Sequence, residues 1–302
     1  MAPLTVAVTL CSTARLSHLL PQLERVARLE PPVPRVVVWL DDAPAPDLPA
    51  LRDATVVHVP PGPGGLRLAE GRNRGAAAAR SLGARLLVFL DADCLPGDDL
   101  VRRYEEAAEH HPGAVLCGPV TYLPEGWEAT GATLAASTRP HAARPAPEPG
   151  TTVVAAPGDH RLFWSLSFAV TPETWDHVGG FSPLYEGYGG EDTDFAFAAE
   201  RADVPLVWVG GADAYHQWHP TSSPPWQHLD DVLANGAVFA GRWGTWPMEG
   251  WLEAFERAGA VERHDGGWRR VAADGAAVGR VAGAAAAGAA AAAAGTAGAA
   301  GA

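Results

Sequence analysis

The apolar run Arg85-Leu-Leu-Val-Phe-Leu90 passes without a break into Asp91-Ala-Asp93, and this junction constrains the fold more than any other stretch. Consecutive apolar residues of this length read as a strand buried on both faces. Ending it in two carboxylates is unfavourable, because like charges repel unless a cation or a proton relieves them. Open α/β sheets hold ligands just beyond the carboxyl ends of their strands. The pair therefore marks a candidate cation site. Much further along, Gly187-Tyr-Gly-Gly-Glu-Asp-Thr-Asp194 sets more carboxylates at the start of a predicted helix.

The surrounding pattern alternates strand and helix. Short apolar runs at 4–10, 35–40, 55–59, 114–120, 162–170 and 206–209 read as strands. Helices are predicted over the leucine-striped segment after Ser12 and Thr13 (ended by Pro31, Pro32 and Pro34), and over 69–82, 98–110, 171–177, 191–201, 226–239 and 249–258. Such alternation predicts an α/β fold with a mostly parallel, Rossmann-like sheet covered by helices on both faces. Residues 1–260 are expected to form one domain: a first half (1–123), a flexible Pro/Ala/Gly-rich loop (124–158) and a second half (159–260). Residues 261–302 read as an extension whose Ala/Gly tail is low-complexity and poorly ordered.

Composition narrows the partners. With 22 basic and 35 acidic residues the net charge is −13, which argues against a nucleic-acid or anionic-membrane surface. There is no lysine, so arginine supplies every fixed side-chain cation. Cys11, Cys94 and Cys117 are too few and too scattered for a disulfide framework or a zinc site, and predict a reducing, cytoplasmic setting. No signal-like or membrane-spanning segment is read.

Three constellations carry chemistry. Asp91 and Asp93, one residue apart, can converge on a hard cation while leaving positions open for phosphate oxygens. Glu191, Asp192 and Asp194 exceed what a helix N-terminus needs, and one of them can act as general base toward a hydroxyl. In Tyr215-His-Gln-Trp-His219 a histidine can ligate the same cation, which would favour Mn2+ over Mg2+; of the two, His216 is preferred. Arg72 or Arg74 of Gly71-Arg-Asn-Arg-Gly75 can reach a phosphate. Trp164 or Trp218 can stack on the face of a ligand ring.

Taken in order, the Asp41-Asp42 pair, the Gly71-Arg-Asn-Arg-Gly75 helix and Phe89-Leu-Asp-Ala-Asp93 resemble the nucleotide-sugar half of family 2 glycosyltransferases of the GT-A fold. Gly179-Gly-Phe181 and Gly187–Asp194 are similar to the acceptor half of the β-1,4-galactosyltransferases and polypeptide N-acetylgalactosaminyltransferases. The resemblance implies Asp91 and Asp93 as metal and diphosphate ligands. It places Asp41 or Asp42 near the nucleotide's base or ribose, and Arg72 and Asn73 on the donor side. His216, closing Val209-Gly-Gly-Ala-Asp-Ala-Tyr-His216, would complete the metal site. Tyr188, Gly190, Glu191 and Asp192 would bind the acceptor, with Asp192 as base. Tyr188 stands where those enzymes carry Trp, and Asp rather than Asn follows Glu191, as in the inverting members.

The implied activity is a divalent-cation-dependent (Mn2+ or Mg2+), inverting hexosyl transfer. The donor would be a nucleoside-diphosphate sugar, UDP-sugar favoured, and the acceptor a carbohydrate, lipid or small molecule. The loop 124–158 and the glycine loop around Tyr188 are expected to act as lids. The alternatives are a sugar-phosphate nucleotidyltransferase, disfavoured because no glycine-rich loop follows the first strand, and a non-catalytic nucleotide-sugar-binding protein.

Overall fold

The computed structural model describes residues 4–128 and 131–271; the Ala/Gly tail lies outside them. From the start, β1 (Thr5–Cys11), α1 (Leu16–Val26), β2 (Arg35–Trp39), β3 (Ala54–His58), α2 (Leu68–Ser81) and β4 (Leu86–Leu90) follow in the expected alternation. Next come β5 (Cys94–Pro96), α3 (Leu100–His110), β6 (Val115–Cys117), β7 (Val120–Tyr122), α4 (Gly131–Ala136), β8 (Thr152–Val154) and β9 (Ser167–Val170). The chain continues through α5 (Pro172–Val178), α6 (Glu191–Arg201), β10 (Leu206–Val209), β11 (Ala214–His216), α7 (Leu229–Trp243), α8 (Glu249–Arg257) and the hairpin β12 (Val261–His264) and β13 (Gly267–Arg270).

Eight strands form the main sheet in the order β3-β2-β1-β4-β9-β6-β10-β8. The first four are parallel; β9 runs antiparallel to both β4 and β6, and β8 antiparallel to β10. Alternation along β1 divides the core. Val6, Val8 and Leu10 pack with α2, α5 and α6 on one face. Ala7 packs with α1 and α3 on the other. Helix α2 lies unusually close to the sheet, because a Cβ on Gly75 would come within 2.4 Å of Val8.

A smaller sheet, β5-β11-β7, stands beside the carboxyl end of β4. The expected single strand over 114–120 is in fact two. The chain breaks at Gly118, where a Cβ would stand 1.9 Å from the Ala212 carbonyl oxygen, so β6 stays in the large sheet while β7 crosses to the small one. This break carries β11 and its histidine to the Asp91–Asp93 turn, since His216 pairs with Cys94 in register. The segment 124–158 is not featureless: it contributes α4 and the edge strand β8. Beyond residue 260, β12 and β13 pack with α7 and α8 around Leu252, Phe255, Val261 and Trp268.

Candidate active site

The site is built around the turn after β4. Gln22, fully buried on the apolar face of α1, donates from Nε2 to the carbonyls of Asp91 (2.5 Å) and Cys94 (2.9 Å). Its Oε1 accepts from the Thr9 hydroxyl at 2.9 Å. The backbone of the two aspartates is thereby fixed by a residue the sequence reading missed. The available signal was a glutamine at a core position of a leucine-striped helix, since a buried amide must find partners.

With the turn fixed, the two side chains diverge. Asp93 faces His216 and His219, with Oδ1 3.6 Å from His216 Nε2 and Oδ2 3.4 Å from His219 Nε2. Donor atoms of the three residues lie within 4.8 Å of one another. Ligands about 2.1 Å from a common ion stand about 3–3.5 Å apart. A carboxylate with two imidazoles therefore fits a divalent cation, and the nitrogen donors favour Mn2+ over Mg2+. Arg15 Nε approaches Asp93 at 3.3 Å. Burial works to raise the Asp93 pKa, but His216, His219 and Arg15 outweigh it and hold the carboxyl well below the usual range. Burial also pushes the His216 pKa down against the pull of Asp93, which favours the neutral imidazole that can ligate. His219, weighed in the sequence and placed behind His216, stands beside it here, because the turn after β11 folds it back onto Asp93.

Asp91 points elsewhere. Its Oδ1 lies 3.3 Å from Arg72 NH2, and it is not among the three residues whose donor atoms converge. Arg72, 3% exposed, also reaches Glu191 Oε1 at 3.1 Å through NH1 and lies 5.0 Å from the Phe181 ring centroid. One buried guanidinium thus joins the β4 turn to the start of α6. Burial, with Asp93 and Glu191 nearby, raises Asp91 to about 6 against the pull of Arg72.

Asp192 is half-buried beside Glu191. Burial first, and then the Glu191 charge, raise its pKa to about 7, although the Thr193 N–H donates to Oδ1 at 2.7 Å. Asp194 turns inward and accepts from Tyr185, Arg242 and Trp243 at 2.7–3.0 Å, so it is a packing anchor between α6 and α7. The glycine loop before α6 passes through left-handed backbone at Gly187, Gly189 and Gly190. Expected as a lid, it is instead pinned by α7. Asn235 Nδ2 lies 2.8–3.2 Å from the carbonyls of Glu186, Tyr188 and Gly189, and the Tyr188 N–H donates to Asp231. Tyr188 stacks on His228 with centroids 4.3 Å apart.

The remaining expected residues divide. Asp41, beyond β2, accepts from the Thr13 N–H and hydroxyl at 2.6 and 2.7 Å, while Asp42 is exposed next to it. Asn73, expected on the donor side, instead bonds the backbone N–H and carbonyl of Phe181 at 2.9 and 2.7 Å. Trp164 is buried, with the Arg144 guanidinium 4.9 Å from its ring, and has no face for a sugar; Trp218 is 43% exposed.

Fold and site together define an α/β protein that gathers carboxylates, imidazoles and a buried guanidinium at the carboxyl edge of its sheet. The sequence model of glycosyl transferase family 2 matches residues 11–165, and that of the N-terminal domain of galactosyltransferase matches 157–204. The chain belongs to glycosyl transferase family 2. No curated protein matches it significantly. Among solved structures, S. aureus TarS 1–349 in complex with UDP superposes with a TM-score of 0.53 at 13% identity, over 78% of this chain and 65% of that one. A longer S. aureus TarS gives 0.51 at 11%, over 78% and 40%. GalNAc-T7 with UDP, GalNAc and Mn2+ gives 0.49 at 14%, over 72% and 44%. The chain thus spans less than two thirds of each of these proteins. At such identities the likeness speaks for the fold, which is GT-A.

Proposed function

We propose that this glycosyltransferase moves a hexose from a nucleoside-diphosphate sugar to an acceptor hydroxyl with inversion, Asp192 acting as base. The observation that carries the reading is the Arg72 bridge. Two acidic segments distant in sequence meet on one guanidinium, with Asp93 and its histidines to one side and Asp192 to the other. The donor's base and ribose would lie near Asp41 and Asp42, and Asp91 would share the donor side with Arg72. UDP is the favoured nucleotide, in keeping with the UDP complex of TarS.

Asp93, His216 and His219 would hold a divalent cation, Mn2+ before Mg2+. Bound there, the ion offsets the charge that develops on the departing diphosphate. Glu191, fixed by Arg72, and Tyr188, fixed on His228, orient the acceptor. Asp192 accepts the proton of the acceptor hydroxyl as its oxygen bonds to the anomeric carbon and the carbon–phosphate oxygen bond breaks; a single displacement inverts that carbon. Burial and the Glu191 charge leave Asp192 basic enough for this role near neutral pH. Acceptors of the carbohydrate, lipid and small-molecule classes all suit the reading.

No helix among the described residues is long and apolar enough to cross a membrane. Three free, buried cysteines suit a reducing, cytoplasmic setting. Release of nucleoside diphosphate from a panel of nucleotide-sugars with Mn2+ tests the activity. Turnover should disappear in Asp93→Ala, and full transfer by Asp192→Asn would remove the base assignment.

A further inference from the structure

The turn that carries His216 and His219 has a second side. Between them, Gln217 and Trp218 line a cavity of about 390 Å3. Its other walls are Ser17 and His18 from α1, Leu123 after β7, and Trp127. The turn is held rigidly. The Gln217 N–H donates to the Asp93 carbonyl at 2.7 Å, and its Nε2 donates to the His18 carbonyl at 3.0 Å. Trp127 is fixed by an indole N–H bond to Ser137 at 3.0 Å. The rings of His18 and His219 stand edge to face at 5.8 Å, so the cavity abuts the candidate metal cluster.

We propose that this cavity is a saccharide subsite that takes one pyranose ring. Two indoles with hydroxyl, imidazole and amide groups at their edges match a pyranose chemically. Its axial C–H bonds present a positive, apolar face to the negative face of an indole, while its hydroxyls need partners around the rim. The volume falls within the usual range of small-ligand sites. Trp218, 43% exposed, is a large apolar surface left open to solvent beside this rim. None of Asp93, Glu191 and Asp192 lines the cavity, so it is distinct from the place proposed for the reacting hydroxyl. It would anchor a second ring of a carbohydrate ligand. The choice of a sugar rests on the transferase reading; the existence of the site does not.

Binding of methyl β-glucopyranoside, methyl β-galactopyranoside and methyl N-acetyl-β-glucosaminide to the full chain is the test, read by saturation-transfer NMR and tryptophan fluorescence. A one-ring contact gives a Kd on the order of millimolar. At least one glycoside should bind the wild type and the Asp192→Asn variant alike, with affinity about tenfold or more weaker in Trp218→Ala. An unchanged thermal midpoint confirms that this exposed substitution leaves the fold intact, and Trp127→Phe, which keeps an aromatic face, should weaken binding less. Indifference to Trp218→Ala overturns the proposal, as does absence of binding by all three glycosides, or equal binding of a simple alkanol. Nucleoside diphosphate release is scored separately. If it fails while Trp218-dependent binding persists, the transferase reading falls and the subsite stands; the reverse result removes the subsite alone.

Discussion

At the residue scale, Asp192 makes the sharpest predictions because its proposed role as base and its contribution to stability oppose each other. A base must be deprotonated, and burial with the Glu191 charge has moved that event up to about 7. Acceptor turnover should therefore climb as pH rises through about 7, well above the limb near 4 expected of an ordinary carboxylate. Asp192→Asn should cost about 10²–10⁴-fold in turnover and lose the limb, which a pH profile of the coupled diphosphate-release assay measures. Stability runs the other way. The folded chain keeps a proton on Asp192 up to about 7, whereas the unfolded chain releases it near 4, so this residue's contribution falls as pH rises across that window. Asp192→Asn should accordingly melt higher than wild type at pH 8, with the gap closing as the pH falls to about 3, below the unfolded pKa, as scanning calorimetry would show. Arg72 behaves differently. Arg72→Met leaves Asp91 and Glu191 facing each other without a cation, and a loss of about 3–5 kcal/mol is expected in urea unfolding at neutral pH. Arg72 and the carboxylates were legible in sequence because charged residues beside glycines and strand ends are conspicuous. Gln22 was not, nor was the place of His219 beside His216, because both depend on which side chain folds back onto the Asp91–Asp93 turn.

Elements were legible where burial was two-sided. β4 and β10 are unbroken apolar runs, and β1 and β2 are predominantly apolar, with almost every residue buried, and the sequence reading places all four. β8 carries no such signal, since all three of its residues are exposed at the sheet edge. Nor does the β6–β7 break, which depends on the Ala212 carbonyl packing against Gly118. Helix α2 illustrates how tertiary packing overrides propensity. Alanine at Gly75 would gain about 1 kcal/mol in helix propensity. Its Cβ, however, would fall 2.4 Å from Val8 and 3.0 Å from Val38, and such overpacking costs about 1–3 kcal/mol. Gly75→Ala should thus destabilise the protein despite the better helix former. Gly83→Ala, where nothing lies within 4 Å but φ is +86°, should lose stability through backbone strain alone; paired denaturation curves separate the two causes. The glycine loop before α6 read as a lid in sequence because glycine permits motion. Its restraint comes from Asn235 and Asp231 in α7, remote in sequence.

At the scale of the molecule, this restraint ties the C-terminal unit to the proposed acceptor side. α7 reaches the glycine loop through Asp231 and Asn235, and Asp194 through Arg242 and Trp243. α7 is in turn braced by the hairpin that the sequence reading assigned to an extension: Arg270 pairs with Asp230, and Trp268 packs in the cluster with Val232 and Leu252. Nothing in β12 or β13 touches Asp93, His216 or His219 in the ion pairs and hydrogen bonds of the site. Ending the chain after Ala260 should therefore act on one half of the reaction. Trp268 leaves the cluster, exposing the apolar face of α7 and α8, and the glycine loop loosens where Glu191 and Asp192 begin. Acceptor KM should rise and kcat fall several-fold, while stabilisation by Mn2+ with UDP, which tracks ligand occupancy, stays near that of the full chain. Ending the chain after Val271 keeps the hairpin and removes only the Ala/Gly tail, so it should match the full chain in both assays. If the two truncations behave alike, the hairpin has no hold on the acceptor side; if Mn2+ and UDP no longer stabilise the shorter form, its influence reaches the donor side as well.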